Sequence, residues 1–293
     1  MDKFVTINII RNIILNVPKF DRLYLRLEGL ILSHHRWKNY RNEAKKTINR
    51  TLTTFRNLEN RIKDYDKNFS FKDKTILEIG PGSNKLLAIS FILHGAKRVF
   101  LIDRYKLIYN NNFNETLNKQ FIKFYSNING IKNTESYYQI IQKIKYFGYS
   151  GIEKSEYLEK SSIDLIFSLS VLEHVKNLEI TIGMMSYLIK NGGYIYSSVD
   201  LRDHFHIRDH CYLDFLKYPE YFWKLIGHTN RVRFNQYVNY IKKFNLKINS
   251  LKISGMGSIE TISKIKTGFI EKYTHLSNRE LSVFSFKILI QKE

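Results

Sequence analysis

One stretch, Thr75–Asn84, constrains the fold more than any other part of this 293-residue chain. It reads TILEIGPGSN, and its first five residues predict a short, mostly apolar strand. Gly80 and Gly82 predict a tight turn, because glycine adopts positive φ and lets the backbone approach a ligand closely. The residues that follow predict a helix from Asn84 to His94, whose free N–H groups would point at whatever the turn holds.

A second strand is predicted over Lys97–Ile102, and an acid, Asp103, follows it directly. At the tip of the second strand of a βαβ unit, a carboxylate is placed to accept hydrogen bonds from ribose hydroxyls. The turn is not the dinucleotide fingerprint, because Lys85 stands where that motif needs its third glycine and Glu78 is a carboxylate that the motif lacks. The two strands therefore predict a site for a nucleoside that is not part of a dinucleotide.

Strand and helix patterns alternate along the rest of the chain, which predicts a parallel sheet with crossover helices. The turn Asn191–Gly193 is expected to stop a helix as its C-cap. Between Arg104 and Glu135, three consecutive asparagines and Gly130 argue against any long helix. Further strands are predicted at Ile144–Phe147, Ile163–Ser168, Tyr194–Val199, Leu246–Ser254 and Leu281–Gln291, and further helices at Ser136–Lys143, Leu178–Lys190 and along Phe234, Tyr237, Val238 and Ile241.

The first 70 residues predict a helical extension in front of a domain that spans residues 71–293. Pro18 is expected to end the first helix, and apolar spacing predicts an amphipathic helix from His35 to Asp66. Residues 200–233, which are rich in histidine, aspartate and aromatic side chains, predict an insertion that forms a lid over the acceptor site. The helical extension is expected to shape or cover the same site.

Composition fits a folded protein in a reducing compartment, since 43% of the residues are hydrophobic and the chain has a single cysteine, Cys211. No apolar run reaches the roughly 18 residues that a membrane span needs. The net charge of +20 comes from lysines spread along the chain, which indicates a solvated basic surface rather than nucleic-acid binding. The predicted location is cytoplasmic; a second interpretation places the N-terminal helices on the inner face of the membrane.

The strand, turn and acid described above resemble the motifs of class I S-adenosylmethionine-dependent methyltransferases. Two later stretches agree with that resemblance. Ile163–Ser168 followed by Val171–Val175 resembles the family's fourth strand and the segment after it, and Asn191–Ile195 resembles its turn into the fifth strand. The resemblance implies a methyl-transferring enzyme with S-adenosylmethionine as cofactor. It also implies a Rossmann-like α/β fold with a seven-stranded, mostly parallel sheet whose last strand is antiparallel.

The resemblance further implies where the cofactor binds. The turn after the first strand would hold its methionine end, and the acid after the second strand would accept both ribose hydroxyls. The backbone that ends the fourth strand would lie beneath the sulfonium, and a histidine after it would line the pocket. The loop at 148–153 has no acid at the point where the family contacts adenine, so no adenine contact is assigned. The implied cofactor residues are Glu78, Gly80, Gly82, Ser83, Asp103, Ser168, Leu169, Ser170 and His174.

The block after the fifth strand, DLRDHFHIRDH at 200–210, resembles a bacterial subset of these proteins that carries an Asp-Leu-Arg-Asp-His-Phe segment. The hypothesis drawn from it is that His204, oriented by Asp203 or Asp200, is the general base for a hydroxyl acceptor. A histidine beside a carboxylate titrates near neutral pH, which suits that role. The alternative is a lid hinge in which these acids pair with Arg202 and Arg208.

The same block also permits a metal site. His204 and His206, together with Asp203 or His210, are residue types that bind transition metals. Ligand-type residues clustered in one loop more often hydrogen-bond than chelate, so no metal is predicted.

Four side chains, Arg202, Arg231, Arg233 and Trp223, are predicted to bind the acceptor. The arginines would pair with an anionic group, and the tryptophan would belong to an aromatic lid, with a plain hydrophobic cap as the alternative. The predicted acceptor is a small molecule, a sugar or a lipid-linked glycan intermediate, methylated at oxygen. Two alternatives remain open: an RNA methyltransferase, favoured by the charge, and a non-catalytic binding or assembly protein that keeps the cofactor fold.

Overall fold

A seven-stranded sheet forms the centre of the molecule, with strand order β3-β2-β1-β4-β5-β7-β6. The computed structural model describes residues 10, 13–14, 40–108, 112–128, 130, 135–204, 212–227 and 229–293. Strands β1 to β5 are parallel, and β7 runs antiparallel to both β5 and β6, which confirms the predicted fold class. The strands are β1 Thr75–Ile79, β2 Arg98–Asp103, β3 Ile144–Gly148, β4 Ile163–Leu169, β5 Ile189–Asp200, β6 Leu246–Met256 and β7 Val283–Lys292.

The strand order places a crevice at a defined point of the sheet. The chain moves outward from β1 through β2 to β3, then returns to the other side of β1 with β4 and β5. In open α/β sheets, ligands bind at this reversal, outside the carboxyl ends of the strands. The ends of β1, β2 and β4 are therefore the part of the sheet where a cofactor is expected.

Helices cover both faces of this sheet. One core cluster joins the first four described helices to one face, and a second joins the fifth and seventh helices to the other. Within the described residues every helix is too short or too polar to cross a bilayer. The helices are α1 Tyr40–Lys63, α2 Leu86–Leu93, α3 Asn112–Ile128, α4 Tyr137–Gln142, α5 Leu178–Leu188, α6 Glu220–Ile226, α7 Phe234–Lys243, α8 Ile259–Ile265, α9 Glu271–Thr274 and α10 Asn278–Ser282.

Helix α1 corresponds to the amphipathic helix predicted over His35–Asp66. Its buried side chains recur every three or four residues, which puts them on one face of the helix. That face packs into the same core cluster as α2 and α3, so this part of the predicted N-terminal extension shares the core of the domain. The helices predicted before residue 35 lie outside the described residues, apart from three isolated positions.

Two predictions about helices are wrong. Helix α3 occupies 17 residues of the stretch expected to lack a long helix, because its apolar stripe, which includes Phe113, Leu117 and Phe121, is buried against α2 and outweighs the weak helix propensity of asparagine. The turn Asn191–Gly193 does not cap α5, which ends at Leu188. The turn instead lies within β5, where the register with β4 shifts.

The segments around β6 and β7 form a third hydrophobic cluster, which we call the C-terminal cap. Trp223 is buried in it, stacks on Tyr218 at 6.1 Å and donates its indole N–H to the Thr229 carbonyl at 2.8 Å. Its prediction as an acceptor-binding lid residue is therefore wrong in this geometry, and the hydrophobic-cap alternative describes it. The cluster consists of Leu213, Phe215, Leu216, Trp223, Ile226, Ile262, Phe269, Tyr273 and Leu281.

Candidate active site

The turn after β1 is held in place by its two glycines, which differ in what surrounds them. Gly80 has φ +70° and donates its N–H to the Ile102 carbonyl at 2.8 Å. A Cβ added at Gly80 would lie 2.4 Å from Val171 Cγ2, so the protein's own packing requires glycine there. Gly82 has φ +72°, and a Cβ added to it would meet no atom of the described residues within 4 Å. The space beside Gly82 is open, and Ser83 follows in the same turn.

Two buried carboxyl groups flank this turn. Glu78 is 7% exposed and Asp103 is 9% exposed. Burial, and then the charge of Asp103, raise the pKa of Glu78 to about 8. Burial raises the pKa of Asp103 to about 6. The backbone N–H groups of Tyr105 and Gly82, which donate hydrogen bonds to its carboxylate, lower the pKa but do not outweigh burial. A cation and hydroxyl donors would stabilise the ionised forms of both, so this pair fits a ligand that carries a sulfonium, an ammonium and a ribose.

The loop after β3 lies beside Asp103. The Ser150 N–H donates to the Asp103 carbonyl at 2.9 Å, and the Ser150 hydroxyl lies 3.4 Å from the Tyr157 hydroxyl. A groove of about 790 Å³ opens here, with Lys85 and Lys106 in its lining. The resemblance implies that adenine binds on the side of the site where this groove opens. Residues 148–150 contribute no acid to the groove.

The end of β4 approaches the turn from the other side. Ser168 is buried and its hydroxyl lies 2.9 Å from that of Ser197 on β5. Leu169 ends the strand, and Ser170 has φ +51° and donates its N–H to the Ser198 carbonyl at 2.8 Å. Since Val171 contacts the turn at Gly80, the backbone at 168–170 is brought beside the predicted cofactor turn.

Four polar side chains meet where β4 and β5 end, and we call them the β4–β5 cluster: Glu173, His174, Asp200 and His204. The His174 and His204 rings lie 5.0 Å apart between centroids. His204 Nε2 is 4.0 Å from Asp200 Oδ2, and Glu173 Oε1 accepts the Asp200 N–H at 3.2 Å. Sequence reasoning missed Glu173, although it directly precedes His174 in a segment already compared with the family.

The structure thus favours Asp200 over Asp203 as the carboxylate beside His204. Asp203 is fully buried and its N–H donates to the Tyr212 carbonyl at 2.7 Å. Burial, then the nearby His174 and Arg202, lower the pKa of His204 to about 4, while Asp200 opposes that shift. The expected near-neutral titration of His204 is therefore wrong, and its imidazole is uncharged at pH 7.

Arg202 pairs with Asp200 through two hydrogen bonds, Nε to Oδ1 at 2.9 Å and Nη2 to Oδ2 at 2.7 Å. This is the contact that the lid-hinge alternative expects. Arg208, together with His206, His210 and Cys211, lies outside the described residues. Arg202 also enters the lining of a groove of about 580 Å³ with Tyr212, Ser254 and Ser285. Because Ser285 pairs with Asp200 in the sheet, this Arg202 groove opens at the same edge as the cofactor turn.

Arg231 and Arg233 are not placed to bind an acceptor. They are 2% and 1% exposed. Arg231 donates to two carbonyls of the 215–218 turn at 3.0 and 2.6 Å. Arg233 donates to the Leu201 carbonyl at 2.6 Å and the Val283 carbonyl at 3.1 Å. The predicted acceptor contacts are replaced by structural ones, because Arg231 bonds within the C-terminal cap and Arg233 joins the backbone after β5 to the start of β7.

The fold is α/β, and the glycine turn with its two carboxyl groups lies at the carboxyl ends of β1, β2 and β4, where the nucleoside cofactor is predicted to bind. Residues 37–251 match the family described as methyltransferase domain, and the chain belongs to that family. The protein is a methyl-transferring enzyme, and its cofactor is S-adenosylmethionine. The non-catalytic alternative is therefore set aside.

Several solved structures share similarity with this chain. A geranyl diphosphate C-methyltransferase from Streptomyces coelicolor is 12% identical, covers 75% of this chain and 71% of its own, and has a TM-score of 0.44. An S-adenosylmethionine-dependent methyltransferase from Mesorhizobium loti is 12% identical, with 76% and 93% covered and a TM-score of 0.43. One from Methanosarcina mazei is 17% identical, with 75% and 93% covered and a TM-score of 0.43. A search of curated proteins returned no match.

The raised pKa values of the carboxyl pair predict that cofactor affinity depends on pH. Because the folded protein holds the Glu78 proton more tightly than the unfolded chain does, ligand-free stability falls as pH rises from about 4.5 toward about 8. Cofactor binding is favoured by the ionised carboxyl. Calorimetry measures the affinity for S-adenosylmethionine of the wild type and of Glu78→Gln. The ratio of the two affinities should rise at least tenfold from pH 6 to pH 8, because the ionised fraction of Glu78 rises by about that factor or more. A ratio that stays constant over this range would contradict the role given to Glu78.

Proposed function

We propose that the protein methylates a hydroxyl oxygen of a small molecule, a sugar or a lipid-linked glycan intermediate. When bound, S-adenosylmethionine supplies the methyl group, and its sulfonium leaves as a neutral thioether that keeps the electron pair of the broken bond. The chain must then align the acceptor oxygen and accept or release its proton. The observation that carries the proposal is the convergence of the β4–β5 cluster beside the backbone at 168–170, where the transferred methyl group is expected.

Within that cluster, His204 is the proposed general base. About 20% of its side chain is exposed, and it follows Arg202, which lines the groove, by two residues in the chain. Asp200 Oδ2 lies 4.0 Å from its Nε2 and would orient the ring once the two close to hydrogen-bond distance, while the Arg202 pair fixes the Asp200 carboxylate. The lining of the Arg202 groove supports a hydroxyl-bearing acceptor, since Ser254, Ser285 and Tyr212 offer hydroxyls that both donate and accept.

The test places a radioactive label on the methylated product, whichever acceptor the protein uses. The full chain is incubated with S-adenosylmethionine carrying a tritiated methyl group, and with the small-molecule and lipid fractions of the cells that make it. The expected product resists alkali, as a methyl ether does and a methyl ester does not. Label in a ribonuclease-sensitive fraction would overturn the proposal in favour of an RNA methyltransferase, and label in an alkali-labile product would also overturn it.

The roles of His204 and Asp200 are tested in the same assay. His204→Ala should lower the transfer rate by about 10²–10⁴-fold, the range for loss of a general base, and Asp200→Asn by a smaller factor. Cofactor affinity should stay within twofold, because neither residue lies in the turn after β1. His275→Ala is the matched control, since His275 is exposed and directly follows the last residue of α9. Full activity of His204→Ala would remove His204 from the mechanism.

A further inference from the structure

Three side chains of the β4–β5 cluster have the donor types and spacing of a metal site. Glu173, His174 and His204 each offer one ligand atom, and these three atoms all lie within 4.8 Å of one another. Two imidazoles and one carboxylate form a ligand set for divalent first-row transition metals. Metal–ligand bonds of about 2.1 Å put donor atoms roughly 3–4 Å apart, so small side-chain rotations would close the set.

A second observation points to a cation at the same place. Glu173 is 2% exposed, and its Oε2 atom is buried with no hydrogen-bond partner in the described part of the chain. The other carboxylate oxygen, Oε1, accepts the Asp200 N–H. A buried oxygen without a partner destabilises the fold. A metal ion bound by this oxygen and the two imidazoles would remove that penalty.

The backbone holds the ligands on fixed supports, as a metal site requires. The Asn230 N–H donates to the Glu173 carbonyl at 2.7 Å, and its side-chain amide donates to the Leu172 carbonyl at 2.7 Å and the Val175 carbonyl at 3.2 Å. Asn230 therefore clamps the segment that carries two of the three ligands. His204 comes from a separate strand end, directly after the buried Asp203.

We propose that Glu173, His174 and His204 bind one divalent first-row transition metal ion, which in turn binds the acceptor oxygen. The inference rests on the proposed O-methylation and replaces one step of it, because His204 then holds the metal ion instead of accepting the proton of the acceptor. The metal withdraws electron density from the bound hydroxyl, whose proton leaves to solvent. The oxygen lone pair forms the bond to the methyl carbon as the sulfur–carbon bond breaks. This ligand set differs from the His204, His206 and His210 loop cluster considered from the sequence.

The site is tested with Co²⁺ as the probe. The full chain is stripped with a chelator and titrated with Co²⁺, following visible d–d absorption and heat of binding. One equivalent should bind, and Glu173→Gln, His174→Ala and His204→Ala should each weaken binding at least tenfold, with His275→Ala unchanged. The shift in melting temperature on adding S-adenosylmethionine shows that each variant is folded. A variant that combines Glu173→Gln, His174→Ala and His204→Ala should not bind Co²⁺. Binding by this triple variant as tightly as by the wild type would overturn the proposal.

Methyl transfer separates this inference from the proposed function. Protein stripped of metal by a chelator should transfer the tritiated methyl group at least tenfold more slowly. Adding Zn²⁺, Mn²⁺ or Co²⁺ should restore the rate. Full transfer by the chelated protein would leave O-methylation standing and overturn the metal's part in it. Stoichiometric Co²⁺ binding with no methyl ether formed under any condition would overturn the proposed function and leave the metal site in place.

Discussion

Replacing Gly82 with alanine is expected to abolish S-adenosylmethionine binding in a protein that stays folded. Its φ is +72° and a Cβ there would meet no atom of the described residues within 4 Å, so the added methyl group would enter the open space where the cofactor is predicted to bind. Positive φ at alanine costs about 1–2 kcal/mol, which lowers the melting temperature by only a few degrees. Affinity should fall at least a hundredfold, or roughly 3 kcal/mol, measured by calorimetry.

Two other glycines separate the ligand effect from the backbone effect. Gly192 has φ +74° and the same open surroundings but lies away from the turn after β1, so Gly192→Ala should lose similar stability and keep full affinity. Gly80→Ala should destabilise the ligand-free protein more than Gly82→Ala does, because its Cβ would clash with Val171. Adding Val171→Ala to Gly80→Ala should recover part of the lost stability. Normal cofactor affinity of Gly82→Ala would contradict the placement of the cofactor.

The cofactor side of the site was predictable because its signals are local. Strand β1, the two glycines of its turn and the acid that ends β2 all fall within 30 consecutive residues, and each depends on backbone rules that short sequences express. The predicted bounds of β1 agree with the structure, and those of β2 differ by one residue at each end. Burial of the Glu78 and Asp103 pair then follows from where parallel strands end.

The acceptor side was less predictable because its contacts are long-range. Arg233 bonds to backbone carbonyls 32 and 50 residues away, at Leu201 and Val283, and nothing near Arg233 in the sequence indicates that its guanidinium is buried. The reduced pKa of His204 also arises from burial and from His174, which is 30 residues away in the chain. Glu173 was the exception, since its neighbour His174 was already singled out and a buried carboxyl there could have been considered.

The second large effect is expected for Arg233→Ala, which should destabilise the protein by about 2–6 kcal/mol, since two buried carbonyls lose their donor. The guanidinium is 1% exposed and donates to the carbonyls of Leu201 and Val283, which lie at the end of β5 and the start of β7. Alanine would leave a cavity and deprive these buried carbonyls of their charged donor, and each such loss is destabilising by about 1–3 kcal/mol. Urea unfolding, followed by circular dichroism, measures the change.

Arg202→Ala is the matched control for this prediction. Arg202 is also an arginine after β5, but its side chain is 35% exposed and pairs with Asp200, so its loss should change stability by about 1 kcal/mol or less. The two variants therefore divide the arginines by role: Arg233 supports the fold, and Arg202 lies at the groove where an acceptor would bind. An Arg233→Ala protein that unfolds at the wild-type urea concentration and loses only acceptor affinity would restore the role that the sequence predicted for Arg233.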